Sequence, residues 1–345
     1  MCQIKLTRDR LLFIICLARL IININIGVTM ITRRQYLKAS AAITLSTAMG
    51  LDRLRAQSSQ PLIMRAIPKT GELLPAIGLG SSANFSNMAR NEDFEAVRSV
   101  MSALHTEGGR IFDTAPSYGA SEEVSASIAN ELNIHNELFW ATKLNAVERG
   151  SDRADPSAAR DQLETSFTRI NRQMIDLIQV HNVSDVATHL PILKEYVQEG
   201  RVRYVGNTTW YPEQYEDLKK SISNDELDFI GIDYAIDNRS NGDDILPLAM
   251  DHGVAVLVYA PFGRDRLWSR VAGVALPEWA SEIGAETWAQ FFLKFVLAHP
   301  AVTAATPSTS RPANMIDNMG ACYGELPDEA VQKRMLQFID ALPDG

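Results

Sequence analysis

Cysteine is scarce. Of the three in the chain, Cys2 and Cys16 fall within the first 56 residues, which leaves Cys322 alone in the remainder and excludes an intrachain disulfide there. No CxxC pair or His/Cys cluster offers a zinc site. Aromatic residues make up only 8%, yet 46% of the chain is hydrophobic, so 345 residues can bury a large aliphatic core in one big α/β domain or two ordinary ones. Positive charge is also short. Residues 1–56 hold nine Lys/Arg and two Asp/Glu, leaving 24 basic against 40 acidic residues beyond them, a net of −16 that argues against nucleic acid or an anionic membrane as partner.

The amino terminus differs from the rest. "TRRQYLKASAAITLSTAMG" places Arg33 and Arg34 before a small-residue apolar run with no acid from Ile31 to Leu51, and resembles a twin-arginine (Tat) export signal. Upstream, Leu11 to Val28 is apolar but broken by Arg19 and asparagines, a weak anchor of nearly spanning length. Met30 sits where an initiator belongs. The expectation is therefore a leader over 1–56, with 1–29 an over-extended start and 30–56 the signal, cleaved loosely near Ala56. No stable membrane anchor is expected, and the partner would be the Tat machinery. Localisation would be periplasmic or otherwise exported, and cytoplasmic if the leader is not a signal.

From Pro75 the chain repeats an apolar run, a polar loop and an amphipathic segment. The runs "PAIGLG", "RIFDTA", "FWATKL", "LIQVHN", "VRYVGNT", "FIGIDYAI", "VAVLVYAP" and "VTAATPS" read as strands. Helical spacing falls between them, over Phe94 to Glu107, Val124 to Leu132, Ala158 to Ile170, Leu190 to Glu199, Tyr211 to Ser221 and Thr287 to Ala298. Eight alternating units imply an α/β chain folded as a (β/α)8 TIM barrel over 61–345. "LIMRAIPKTGELLPAIG", with a turn at Lys69 to Glu72, predicts a β-hairpin plugging one end. "GLGSSA" also fits a dinucleotide-binding fingerprint, but "NFSNMARNED" interrupts where a helix should open at once, so that fold is set aside.

In a parallel barrel the reactive side chains stand at the carboxyl ends of the strands. Within "FDTAPSYGASEE", Asp113 ends the second strand and Tyr118 lies in its loop. Lys143 ends the third strand and His181 the fourth. Singly, each is an ordinary turn residue, solvated charge or satisfied polar group. Four on neighbouring strand ends point to a shared site.

With "ATKL", "DLIQVHN", "EGRVRYVGNTTW", "VYAPFG" and "TPSTSRPANMIDNMGA" in order, the sequence resembles the aldo-keto reductase family from about Leu62 onward. The resemblance implies a tetrad of Asp113, Tyr118, Lys143 and His181. It also implies a nicotinamide cofactor, NADPH with NADH possible, and NAD(P)H-dependent reduction of a small-molecule aldehyde or ketone to an alcohol, with tyrosine as the acid. It places Tyr259 against the nicotinamide ring, Thr208 and Thr209 at its amide, and Ser308, Thr309, Ser310 and Arg311 at the adenosine phosphate. Asp317 and Asn318 would contact the adenine. The chain departs from the family where Thr208 and Thr209 replace a serine and an asparagine, where Gly231 replaces a glutamine, and where Ser308 and Asn314 replace two cations. Two other classes stay open: a catalytically idle nicotinamide-binding scaffold, and a Schiff-base lyase using a neutral Lys143. Gly263 to Gly284 with Trp268 and Trp279 is expected at the pocket wall or packed beneath the rim, with Trp210 and Phe85 as further wall candidates.

Overall fold

The computed structural model describes residues 61–343, so the leader and its proposed start and cleavage points lie outside the described residues. The described chain opens with an antiparallel pair, β1 (Met64–Ala66) and β2 (Leu73–Pro75), joined through Gly71 at φ +74°, a backbone state open to glycine without strain.

Eight parallel strands follow: β3 (Leu79–Gly80), β4 (Ile111–Asp113), β5 (Phe139–Leu144), β6 (Ile175–His181), β7 (Val202–Thr209), β8 (Phe229–Asp233), β9 (Ala255–Tyr259) and β10 (Val302–Ala305). Each pairs with the next in sequence. Parallel bridges Ile77↔Ala305 and Gly80↔Ser308 join the first strand to the last, giving the expected (β/α)8 barrel. A Cβ at Gly80 would lie 2.5 Å from the Thr306 carbonyl oxygen, so this seam requires glycine.

Alternation along each strand sends one set of side chains inward. Ile111, Phe139, Leu177, Tyr204, Phe229, Leu257 and their neighbours form an interior apolar cluster, and Ile67 and Leu74 of the hairpin belong to the same cluster. The hairpin is thus the expected plug. Burying those two side chains contributes roughly 1.5–3 kcal/mol each, and Glu72 accepts a hydrogen bond from the Tyr204 hydroxyl at 2.6 Å. A larger cluster outside the strands packs the helices against the sheet.

Three local expectations change. "NFSNMAR", read as an interruption, is itself a short helix, Asn84–Arg90, although the closed sheet still removes the dinucleotide-fold alternative. The helix expected from Leu190 begins at Val186 and carries Pro191 inside it, its first turn held by the Thr188 and His189 N–H groups on the Asp185 carbonyl. The expected start of the helix from Tyr211 is instead a 3-10 turn, Pro212–Gln214, ahead of the helix Tyr215–Asn224. Among the described residues, no helix is long and apolar enough to cross a membrane.

Candidate active site

The four expected side chains converge on one rim. Register sets Gly80 beside Asp113, Lys143 beside Gln179 and His181 beside Thr208, so consecutive strand ends deliver their side chains to a common space. Asp113 and Lys143 are almost wholly buried, and Lys143 Nζ donates to Asp113 Oδ2 at 2.8 Å and to the Thr114 carbonyl at 2.8 Å. Nζ lies 5.1 Å from the centroid of the Tyr118 ring. The rings of Tyr118 and His181 meet edge to face at 6.0 Å.

Charge follows from this geometry. Burial opposes the ammonium of Lys143, yet Asp113 and Tyr118 hold it above the ordinary lysine value. Such a lysine is a cation rather than a neutral amine, which argues against the Schiff-base alternative. Burial raises the Tyr118 phenol, and the Lys143 charge pulls against that rise. Burial, with the Lys143 charge, lowers His181 to about 3, so its ring is neutral at ordinary pH and one nitrogen carries a hydrogen to donate.

The expected cofactor positions have separate fates. Tyr259, at the end of β9, is half-buried, its hydroxyl accepting from Gln179 Nε2 at 2.9 Å and donating to Asp113 Oδ1 at 3.2 Å. Thr208 is buried and stands beside His181 in the β6–β7 register. Thr209 spends its hydroxyl hydrogen on Gln214 and accepts from the Tyr211 N–H. Ser308 donates to the Ser82 carbonyl at 2.6 Å, beside the barrel seam. Thr309, Ser310 and exposed Arg311 lead into the helix Pro312–Gly320, and the Arg311 N–H is held by Thr309 Oγ1. Asp317 accepts from Thr287 Oγ1 and Gln290 Nε2, which directs it to the start of the helix Trp288–Ala298, while Asn318 is buried.

The wall candidates also sort themselves. Phe85 is fully buried against Phe112 and lines no opening. Trp279 packs on Phe291 and Phe338 of the outer helices, and Trp268 on Phe262 and Phe292. Trp210 is a rim residue, covered by the Arg264 guanidinium at 3.5 Å from its centroid. Arg264 and Gln179 were not singled out from sequence. Gln179 shares the inward face of β6 with His181 two residues on, and that spacing was the available signal.

Residues 76–334 match the model of the aldo/keto reductase family. The chain belongs to that family. Aldo-keto reductase str7 of Strobilurus tenacellus is 29% identical over 60% of this chain and 63% of its own length. The NADH-specific methylglyoxal reductase of Escherichia coli is 26% identical over 62% of this chain and 72% of its own. In fold, an aldo-keto reductase from Klebsiella pneumoniae, solved in complex with NADPH, superposes with a TM-score of 0.66 at 18% identity, covering 81% of this chain and 96% of that one. An aldo/keto reductase barrel with its rim groups gathered at the strand ends is therefore the frame for the chemistry.

Proposed function

We propose that this aldo/keto reductase is an NAD(P)H-dependent oxidoreductase that reduces a small aldehyde or ketone to an alcohol, with Tyr118 as the general acid. The observation that carries this reading is the buried ammonium of Lys143, fixed by Asp113 and set beside the Tyr118 ring.

The residues fit a polar cofactor on the same rim. Ser81 Oγ, Thr306 Oγ1 and Gln179 Oε1 are buried without a protein partner, and Thr208 is buried beside His181 in the strand register. Tyr259 offers a half-buried ring whose hydroxyl is already anchored. When bound, a reduced nicotinamide supplies the hydride. The protein's own part is protonic and electrostatic. Neutral His181 donates a hydrogen bond that orients the substrate oxygen, and Tyr118 delivers its hydroxyl proton there as negative charge develops. Lys143 then stabilises the phenolate left behind, and Asp113 keeps Lys143 charged and in place.

NADPH is the preferred cofactor in this reading, with NADH usable. A complex with NADPH among similar structures and an NADH-specific relative support keeping both. The test is a panel of aldehydes and ketones with each reduced cofactor, followed by nicotinamide absorbance. Cofactor binding without oxidation on any carbonyl would favour the idle scaffold.

A further inference from the structure

Tyr259 reaches Asp113 only because residue 231 has no side chain. A Cβ built on Gly231 would stand 2.3 Å from Tyr259 Cε2 and 2.7 Å from both Cζ and the hydroxyl oxygen. The phenol therefore fills the volume that any other residue would occupy at this position on neighbouring β8. In that place it bridges two inward-facing groups: Gln179 donates to it at 2.9 Å, and it donates to Asp113 Oδ1 at 3.2 Å. Asp113 Oδ2 is left for Lys143 at 2.8 Å. With Gln179 occupying its acceptor side, the hydroxyl hydrogen has Asp113 as its remaining destination.

We propose that Tyr259 is a positioning residue for Asp113, its hydroxyl aimed by Gln179 and its ring admitted by Gly231, so that one carboxylate oxygen is held by a phenol and the other is kept for Lys143. A carboxylate free to rotate would divide its contact with the lysine between two oxygens and loosen the cation beside Tyr118. The phenol removes that freedom. The titratable groups facing Asp113 are Lys143 on β5, Tyr259 on β9 and Tyr118 in the loop after β4, and His181 on β6 faces Lys143. Among these, Tyr259 and Lys143 hydrogen-bond the carboxylate directly, and both favour its ionised form.

The proposal rests on the reductase reading for its consequence but not for its geometry, and the test separates the two. The protonation of Asp113 is followed in cofactor-free protein by NMR of 13C-carboxyl-labelled aspartate, with the resonance assigned from Asp113→Asn. Tyr259→Phe keeps the ring and removes the hydroxyl. The Asp113 midpoint is expected to rise by about one pH unit, and the acid limb of the kcat/KM profile is expected to move the same way, with the Kd for NADPH changed less than about twofold because the ring remains. Gly231→Ala should shift the midpoint alike, and Gly231→Ala combined with Tyr259→Phe should shift it no further than Tyr259→Phe alone. An unmoved midpoint in Tyr259→Phe overturns the proposal whether or not turnover is seen, as does full additivity of the two changes. A moved midpoint in a protein that reduces no carbonyl supports the positioning role and counts only against the reductase reading.

Discussion

Lys143 holds Asp113 at 2.8 Å while its ammonium stands 5.1 Å from the ring centroid of Tyr118, so one buried cation serves a carboxylate and a phenol together. Ring volume and proton can be separated at Tyr118. Tyr118→Phe is expected to lower kcat by about 10²- to 10⁴-fold with the Kd for NADPH nearly unchanged, as measured by stopped-flow turnover and fluorescence titration. Retention of most of the rate would remove Tyr118 from the role of acid.

Lys143→Met deletes the cation and leaves Asp113 buried without it. Activity should fall as severely as in Tyr118→Phe, and stability in urea should drop by about 3–5 kcal/mol. The double variant Asp113→Asn, Lys143→Met should recover much of that stability without recovering turnover. Equal stability of single and double variants would show that the pair is not coupled.

His181 sets a pH dependence of stability. Its folded value of about 3 lies below the ordinary 6.5, so the unfolded chain takes a proton that the folded chain refuses. The native state therefore has its full margin above pH 6.5 and loses it as pH falls toward 3. By pH 5 the loss is about 2 kcal/mol. His181→Asn should be flatter between pH 7 and pH 5 by that amount in urea unfolding, although its kcat is lower. Parallel curves for the two proteins would contradict a half-buried neutral imidazole.

The cofactor preference has its own readout. Arg311 is exposed at the residue before the helix Pro312–Gly320, and Ser308 and Asn314 supply no charge beside it. NADPH should bind more tightly than NADH, and Arg311→Ala should narrow the ratio by about fivefold at low salt. Fluorescence quenching at two ionic strengths checks this. Equal dissociation constants in the unmodified protein would refute the preference.

Export remains a proposal from the amino-terminal sequence. Replacing Arg33 and Arg34 with lysines is expected to retain the protein in the cytoplasm. Fractionation that finds the unmodified protein wholly cytosolic would reduce the paired arginines to a basic tail.

The barrel and its rim were legible because strand ends announce themselves: an apolar run closes on Asp113, Lys143 or His181, and alternation fixes which way each points. Contacts between strands distant in sequence were not legible. Gly231 reads as a missing glutamine until the Tyr259 ring is found in its space, and Gln179 reads as one more strand residue until that hydroxyl is seen against it. The placement of the loop aromatics stayed open for the same reason. Phe85 and Trp279 stand in loop-like sequence but satisfy partners in the core and outer layer, which no local pattern specifies.

The seam between Gly80 and Ser308 governs when the molecule can finish folding. The Ile63 N–H is bonded to the Cys322 carbonyl at 2.7 Å and the Tyr323 hydroxyl to the Glu107 carbonyl at 3.0 Å, so Ile63 and Glu107 are stitched to residues made far later in the chain. Synthesis must pass residue 323 before these loops can close, and contacts of such sequence separation form slowly. A chain halted near residue 300 would present an unpaired β3 edge to its neighbours.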